Sequence, residues 1–381
     1  MDYAGRVCCD ADSHIMETAD WVTRFADPDI RDRLPPLALG AAGNATLEFI
    51  RKAEARIRDP ARTAAIDHNV IAGPKGWAAY GAFDVAERGR ALDDLGFRRQ
   101  LVFSTFAGTQ YLNATDPDLL YGGIRAHNRA MAHFCGQDAR LIGVGQVSLS
   151  DPARALAEVE EGLRLGIGAF WMPAGPAGEA SPGHEDFDPI WRTLSDAKVP
   201  FMLHIGSAGR VLPKAYENNG KPRPSDLLGG GENLRVKDYM VLPFAPQMFL
   251  SALVFDGVFE RFPELRGGVI ELGAGWVPDF LRRLDMAQKV FRKSDTTVAS
   301  LTMKPSDYIR RAVRFTPFPG EDVGQMIRDA GPELFLFSSD YPHPEGTDDP
   351  IGRFERTFGG LDEDAKAGFY HRNFEHMMGA A

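Results

Sequence analysis

Asp12 and His14 stand two residues apart at the end of an apolar stretch, RVCCDADSH, and Asp340 closes another, ELFLFSSD. On an extended chain, residues two apart share a face, so Asp12 and His14 can reach one ion together. His204 follows Phe201, Met202 and Leu203, and Glu271 lies near the end of GGVIEL. All five side chains are metal-ligand types, and each sits where an apolar run gives way to a polar loop. Taken singly they have structural explanations: His204 as a hydrogen-bonded core histidine, since a buried imidazole needs a partner, and Asp12 or Asp340 as a turn cap. Taken together, nitrogen and oxygen donors gathered at one end of a set of strands are what a hydrolytic divalent metal needs.

The elements that must position these residues are legible as an alternation. Strands are predicted at RVCCDADSH, 100–106, 141–149, 167–173, 199–206, 267–272, 312–318 and 333–340, with helical spacing between them from residue 117 onward. Asp151 and Pro152 supply a cap and a first-turn proline for one of these helices, and Gly166 ends it. Eight such units predict a (β/α)8 TIM barrel, although an open doubly wound sheet alternates in the same way. Two stretches, 19–90 and 207–239, interrupt the rhythm after strands. In a barrel the loops after strands line the active-site face, so both are expected to cover it, within a single domain spanning 1–381.

With 44% hydrophobic residues among 381, the chain can bury a large core. Its 53 acidic against 43 basic residues leave a net charge of −10, which offers no basic field to nucleic acid or anionic lipid. Three cysteines, Cys8, Cys9 and Cys135, are too few for a disulfide framework and read as reduced core residues. The first residues lack the pattern of a secretory signal, and no uninterrupted apolar run reaches the eighteen or so residues needed to cross a bilayer. A cytoplasmic protein with no membrane partner is the expectation.

The sequence resembles the amidohydrolase superfamily, in the branch that includes aminocarboxymuconate semialdehyde decarboxylase, resorcylate decarboxylases and lignin-catabolic hydrolases. DADSHIMET, RLIGVGQVSLSDP, FDPIWRTL before VPFMLHIG, GVFERFPELRGGVIELGAGWVPDFLRRLD, SSDYPHPEG and RNFEHMMG carry the resemblance in order. It implies a barrel with one divalent metal held by Asp12, His14, His204 and Asp340, and a homodimer. Zinc suits one carboxylate with two imidazoles, and manganese or iron is admissible. The first-strand motif here is DSH where the family carries HxH or ExH, and Glu271 stands where its decarboxylases carry histidine.

Asp340 is then placed to touch both the ion and an attacking water as general base. His343, three residues on, is a candidate donor to substrate or leaving group, with a surface role as the alternative. Glu271 reads as extra ligand, general acid/base, or salt-bridge partner of Arg282 or Arg283. Arg210, in the long loop after His204, could grip a substrate carboxylate with its planar fork, or be a solvated residue paired with Glu217. The leading expectation is a metal-dependent hydrolase of a small carboxylated cyclic or aromatic catabolite. Its alternative is a nonoxidative decarboxylase of an aromatic or muconate-type acid, and a third reading is a noncatalytic ligand-binding barrel.

Overall fold

A computed structural model describes residues 5–39, 44–206, 211–222 and 235–379. Among them seven strands form one parallel sheet in sequence order: β1 (Cys8–Ile15), β2 (Phe97–Ser104), β3 (Leu141–Gln146), β4 (Ala169–Trp171), β5 (Phe201–His204), β6 (Gly267–Ile270) and β7 (Val313–Phe315). Parallel neighbours require a long crossover, and helices supply it. A doubly wound sheet would reverse its strand order at a switch point. The uninterrupted order observed here is that of a curled, barrel-type α/β sheet.

The expected eighth strand, 333–340, needs correction. Its backbone does bond to both sheet edges: Leu336 N–H donates to Phe315 O on β7 (2.9 Å), and Ala11 N–H on β1 donates to Phe337 O (3.0 Å). The ladder is diverted between them, because Phe337 N–H donates to Phe369 O instead of to a strand (2.9 Å). Asp340 then adopts a left-handed φ of 54°. The segment joins β7 to β1 without the regular pairing of a strand.

Strand interiors point alternate residues into the barrel, where Leu101, Phe103, Ile142, Val144 and Trp171 form one apolar cluster, packed with Phe374 and Met377 from the helix Asn373–Met377. On β1 the inward residues begin as Cys9 and Ala11. Between Asp10 and Ser13 the register with β2 slips, three residues on β1 spanning two on β2. Such a bulge inserts one residue and reverses which face follows. Asp12 and His14 therefore turn toward the interior, His14 opposite Phe103. Buried Asp10 pins the same place, accepting from Ser339 N–H (2.8 Å), Ser339 Oγ (2.6 Å) and Gln100 Nε2 (2.8 Å).

The helix Pro152–Leu165 is capped as its sequence requires: Asp151 accepts from Ala153 N–H at 3.0 Å, and Gly166 closes it at φ 88°. The three cysteines are buried thiols. No uninterrupted apolar run is needed for a long apolar helical stretch. The helical stretch Val236–Phe255, with 20 residues and mean hydropathy 1.3, is long and apolar enough to cross a bilayer. Lys237, Asp238 and Gln247 interrupt it in sequence, which is why no continuous run is visible, and Ala245, Phe249, Leu250 and Leu253 pack into the core.

The stretch 19–90 contributes the helices Asn44–Ile57 and Val85–Leu95 and reaches the end of the sheet that carries His14. Gly76 N–H donates to Pro342 O (2.8 Å), and Trp77 Nε1 donates to Glu17 O (3.0 Å).

Candidate metal centre

Strand ends bring six side chains together. Asp12 and His14 come from β1, His204 ends β5, Glu271 follows β6, and Asp340 and His343 follow the segment that joins the sheet edges. Donor atoms of Asp12, His14, His204 and Glu271 lie within 4.8 Å of one another, as do those of His14, Asp340 and His343, so His14 belongs to both groups. Asp12 Oδ1 is 3.3 Å from His14 Nε2 and 3.4 Å from His204 Nε2. His204 Nε2 is 3.5 Å from Glu271 Oε2, and His14 Nε2 is 3.6 Å from Asp340 Oδ1. Two ligands each about 2.1 Å from a shared cation, at tetrahedral or octahedral angles, stand about 3.0–3.4 Å apart. The spacing is close to that of ligands to one ion.

Orientation agrees with spacing. His204 Nδ1 lies 3.1 Å from Ile205 O, and a carbonyl only accepts, so Nδ1 carries the proton and Nε2 turns its electron pair to the centre. Both ring nitrogens of His14 and Oδ1 of Asp340 are buried without a well-aligned hydrogen bond. Electron-rich atoms gathered out of water are costly unless a cation balances them. This donor set fits a divalent ion of the kind that accepts mixed nitrogen and oxygen ligands.

Electrostatics separates the acids. Burial drives Asp12 upward, but the hydrogen bonds and charges of His14 and His204 outweigh it and hold the carboxyl below the usual range. His14 is pushed down to about 3 by burial and by His343, so at neutral pH its imidazole is uncharged. Asp340 is pushed up to about 6, chiefly by burial, with His343 opposing. Glu271 and Asp340 both have φ 54°, and they share this left-handed conformation with only Lys198 among the described non-glycine residues. It is uncommon and mildly strained for such residues, and strain of this type gathers at functional sites. Glu271 N–H is fastened to Thr316 Oγ1 at 2.8 Å.

The structure brings together five strand-end residues and adds His343, which is only 1% exposed. The surface alternative for His343 is therefore corrected: its ring stacks on His14 at 3.9 Å, and Nδ1 is 3.0 Å from Asp340 Oδ1. Arg282 and Arg283 pair with Asp279, at 3.6 and 2.9 Å, while Glu271 faces His204. Arg210 lies outside the described residues. Two neighbours of the centre escaped the sequence reading, Thr105 and Glu17. Thr105 Oγ1 is 2.9 Å from His343 Nε2, and buried Glu17 accepts from Thr105 N–H at 3.0 Å. The available signal in the sequence was an acid three residues beyond His14, in DSHIMET.

Fold and site define a parallel α/β barrel-type protein with a buried nitrogen and oxygen donor set at its strand ends. The chain belongs to the amidohydrolase family, whose model matches residues 9–375. Among solved structures it is similar to an amidohydrolase from Mycobacterium avium subsp. paratuberculosis K-10, at 21% identity and TM-score 0.73 over 99% of this chain and 100% of that one. It is also similar to 5-carboxyvanillate decarboxylase from Sphingomonas paucimobilis, at 20% identity and TM-score 0.65 over 98% and 99% of the two chains. A third is 5-carboxyvanillate decarboxylase from Novosphingobium aromaticivorans, complexed with manganese and 4-hydroxy-3-methoxy-5-nitrobenzoic acid (18% identity, TM-score 0.64, 98% and 96% covered).

Proposed function

We propose that this enzyme is a metal-dependent nonoxidative decarboxylase of an aromatic acid that carries a hydroxyl beside its carboxylate. This places the second expectation ahead of hydrolysis. The observation that carries it is the asymmetry of the donor set. Asp12, His14, His204 and His343 are sealed, while Asp340 and Glu271 keep 14% and 10% side-chain exposure. Substrate thus approaches carboxyl groups, one of which lies against His343. Likeness in fold to decarboxylases of aromatic acids supports the same reading.

Asp12, His14, His204 and Asp340 would hold the cation, and manganese is preferred to the zinc expected from ligand types because a similar structure contains it. When bound, the metal supplies the charge that orients a carboxylate and its neighbouring hydroxyl. The chain's own part is proton delivery. The Asp340 carboxyl gives its proton to the ring carbon bearing the carboxylate. The bond to that carboxylate then breaks, carbon dioxide leaves, and the bonding electrons return to the ring. Asp340 recovers a proton from solvent, and His343 at 3.0 Å orients it. Phe103 and Trp171 pack against the His204 ring, at 4.4 and 4.9 Å, and line this region with aromatic surface. The stretch 19–90 shields the site through the Gly76 contact to Pro342.

Manganese-loaded protein should release carbon dioxide from members of a 2-hydroxybenzoic acid panel and, in deuterated water, place one deuterium on the product ring. Turnover of lactones or amides without carbon dioxide release would restore the hydrolase reading, in which Glu271 or Asp340 serves as the base.

A further inference from the structure

We infer that Thr105 is a positioning residue for His343, deciding which ring nitrogen faces the centre, and that Glu17 holds Thr105 in place. The inference deepens the metal-dependent reading and rests on it for the effect on metal affinity. Thr105 follows β2, and its Oγ1 lies 2.9 Å from Ile15 O and 2.9 Å from His343 Nε2. A hydroxyl has one proton and a backbone carbonyl accepts only. That proton goes to Ile15 O, so Oγ1 accepts from His343 and Nε2 bears the hydrogen. Nδ1 thereby keeps its electron pair, facing the donor group shared with His14 and able to accept the carboxyl proton of Asp340, whose Oδ1 is 3.0 Å away. Stacking on His14, at 3.9 Å between centroids and 24° between planes, restrains the ring from turning over.

Glu17 fixes the other end of this arrangement. Its buried carboxylate accepts from three successive backbone N–H groups, Thr105 at 3.0 Å, Phe106 at 3.2 Å and Ala107 at 3.1 Å. Loss of the hydroxyl removes the acceptor that selects the ring's protonation, whereas loss of the Glu17 carboxyl loosens the backbone that carries it. Outer partners of a metal ligand typically change metal affinity or activity by about 10- to 100-fold when removed, and Thr105 reaches the ligand Asp340 through His343.

The test uses protein labelled with 15N-histidine and loaded with zinc, a diamagnetic ion, with the His343 signal assigned by its absence in His343→Asn. A slowly exchanging proton on Nε2 is expected in the native protein and in Thr105→Ser. In Thr105→Val that proton should exchange fast, and the zinc dissociation constant should rise by about 10-fold or more. A native ring protonated on Nδ1 and bare at Nε2 would overturn the inference. So would a folded Thr105→Val protein with the native His343 signal and native zinc affinity. The native spectrum decides the point even where Thr105→Val fails to fold. Absence of zinc or manganese uptake by the native protein would instead sink the metal reading, and the same Nε2 measurement on metal-free protein would still judge Thr105.

Discussion

The two sides of the centre are built differently. On one side, Asp12 and His204 belong to β1 and β5, whose backbones are paired, and their side chains are 2% and 1% exposed. On the other, Asp340 and His343 follow a segment that touches both sheet edges but lacks a regular ladder, and Asp340 adopts φ 54°. Charge follows architecture. Asp12 is held below the usual carboxylate range by two imidazoles, while Asp340 is pushed up to about 6 by burial. The ladder side offers a buried carboxylate and two imidazoles, and the proposed function gives it the ion. On the irregular side Asp340 keeps 14% side-chain exposure, and the proposed function gives it the proton transfer.

The largest test of this contrast is His204→Ala. It should lower bound metal toward zero by elemental analysis and cut turnover by more than the about 100-fold associated with losing an outer partner. A folded variant with full metal content would break the comparison at its stronger side. Next comes Asp340→Asn, which keeps an oxygen toward the ion but removes the exchangeable carboxyl. Turnover should fall by about 10²- to 10⁴-fold, the usual scale of general acid catalysis, while most of the metal remains. Equal loss of metal in Asp340→Asn and Asp12→Asn would erase the division of labour.

Glu271 lies between the sides, 3.5 Å from His204 yet partly exposed. If Glu271 contributes electrostatic orientation and Asp340 the proton, Glu271→Gln should bind a substrate analogue with little change and lose about 10- to 100-fold in turnover, less than Asp340→Asn. Kinetics identical to native would make it a structural residue. The smallest effect concerns stability. Burial pushes Glu17 up to about 7 from an ordinary 4.5, so the folded state binds its proton more tightly than the unfolded state. Its stabilising contribution is present below about 4.5 and is lost as pH rises through about 7. Urea titrations at several pH values should show that decline, and Glu17→Gln should flatten it.

Much of the fold was readable because each element announces itself locally. Pro152 and Gly166 bracket a helix, and VPFMLHIG is apolar enough to predict a buried strand ending at His204. The ladder side was equally legible, since Asp12, His14 and His204 are polar residues at the ends of such runs. Less could be read of the irregular side. ELFLFSSD has a strand's composition, but Phe337 N–H finds Phe369 O, a partner from a distant part of the chain, and the regular pairing is lost. His343 in PHP looked compatible with the surface, yet its exposure is 1%, with its ring stacked on His14 and its nitrogens beside Asp340 and Thr105.

The order of apolar runs, the donor types at their ends and the acidic balance can all be read along the chain, because they are properties of spacing and composition. Tertiary structure decided which way the donors face. A single extra residue between Asp10 and Ser13 shifts the β1 register and turns Asp12 and His14 inward after Cys9 and Ala11 have already pointed there. It also brought Thr105 to His343, across a separation of 238 residues, and Glu17 to the backbone of Thr105. A hydroxyl and a buried acid carry no mark of that role in the chain, since the hydrogen bonds that define it form only when β1, β2 and the closing segment are brought to one end of the sheet.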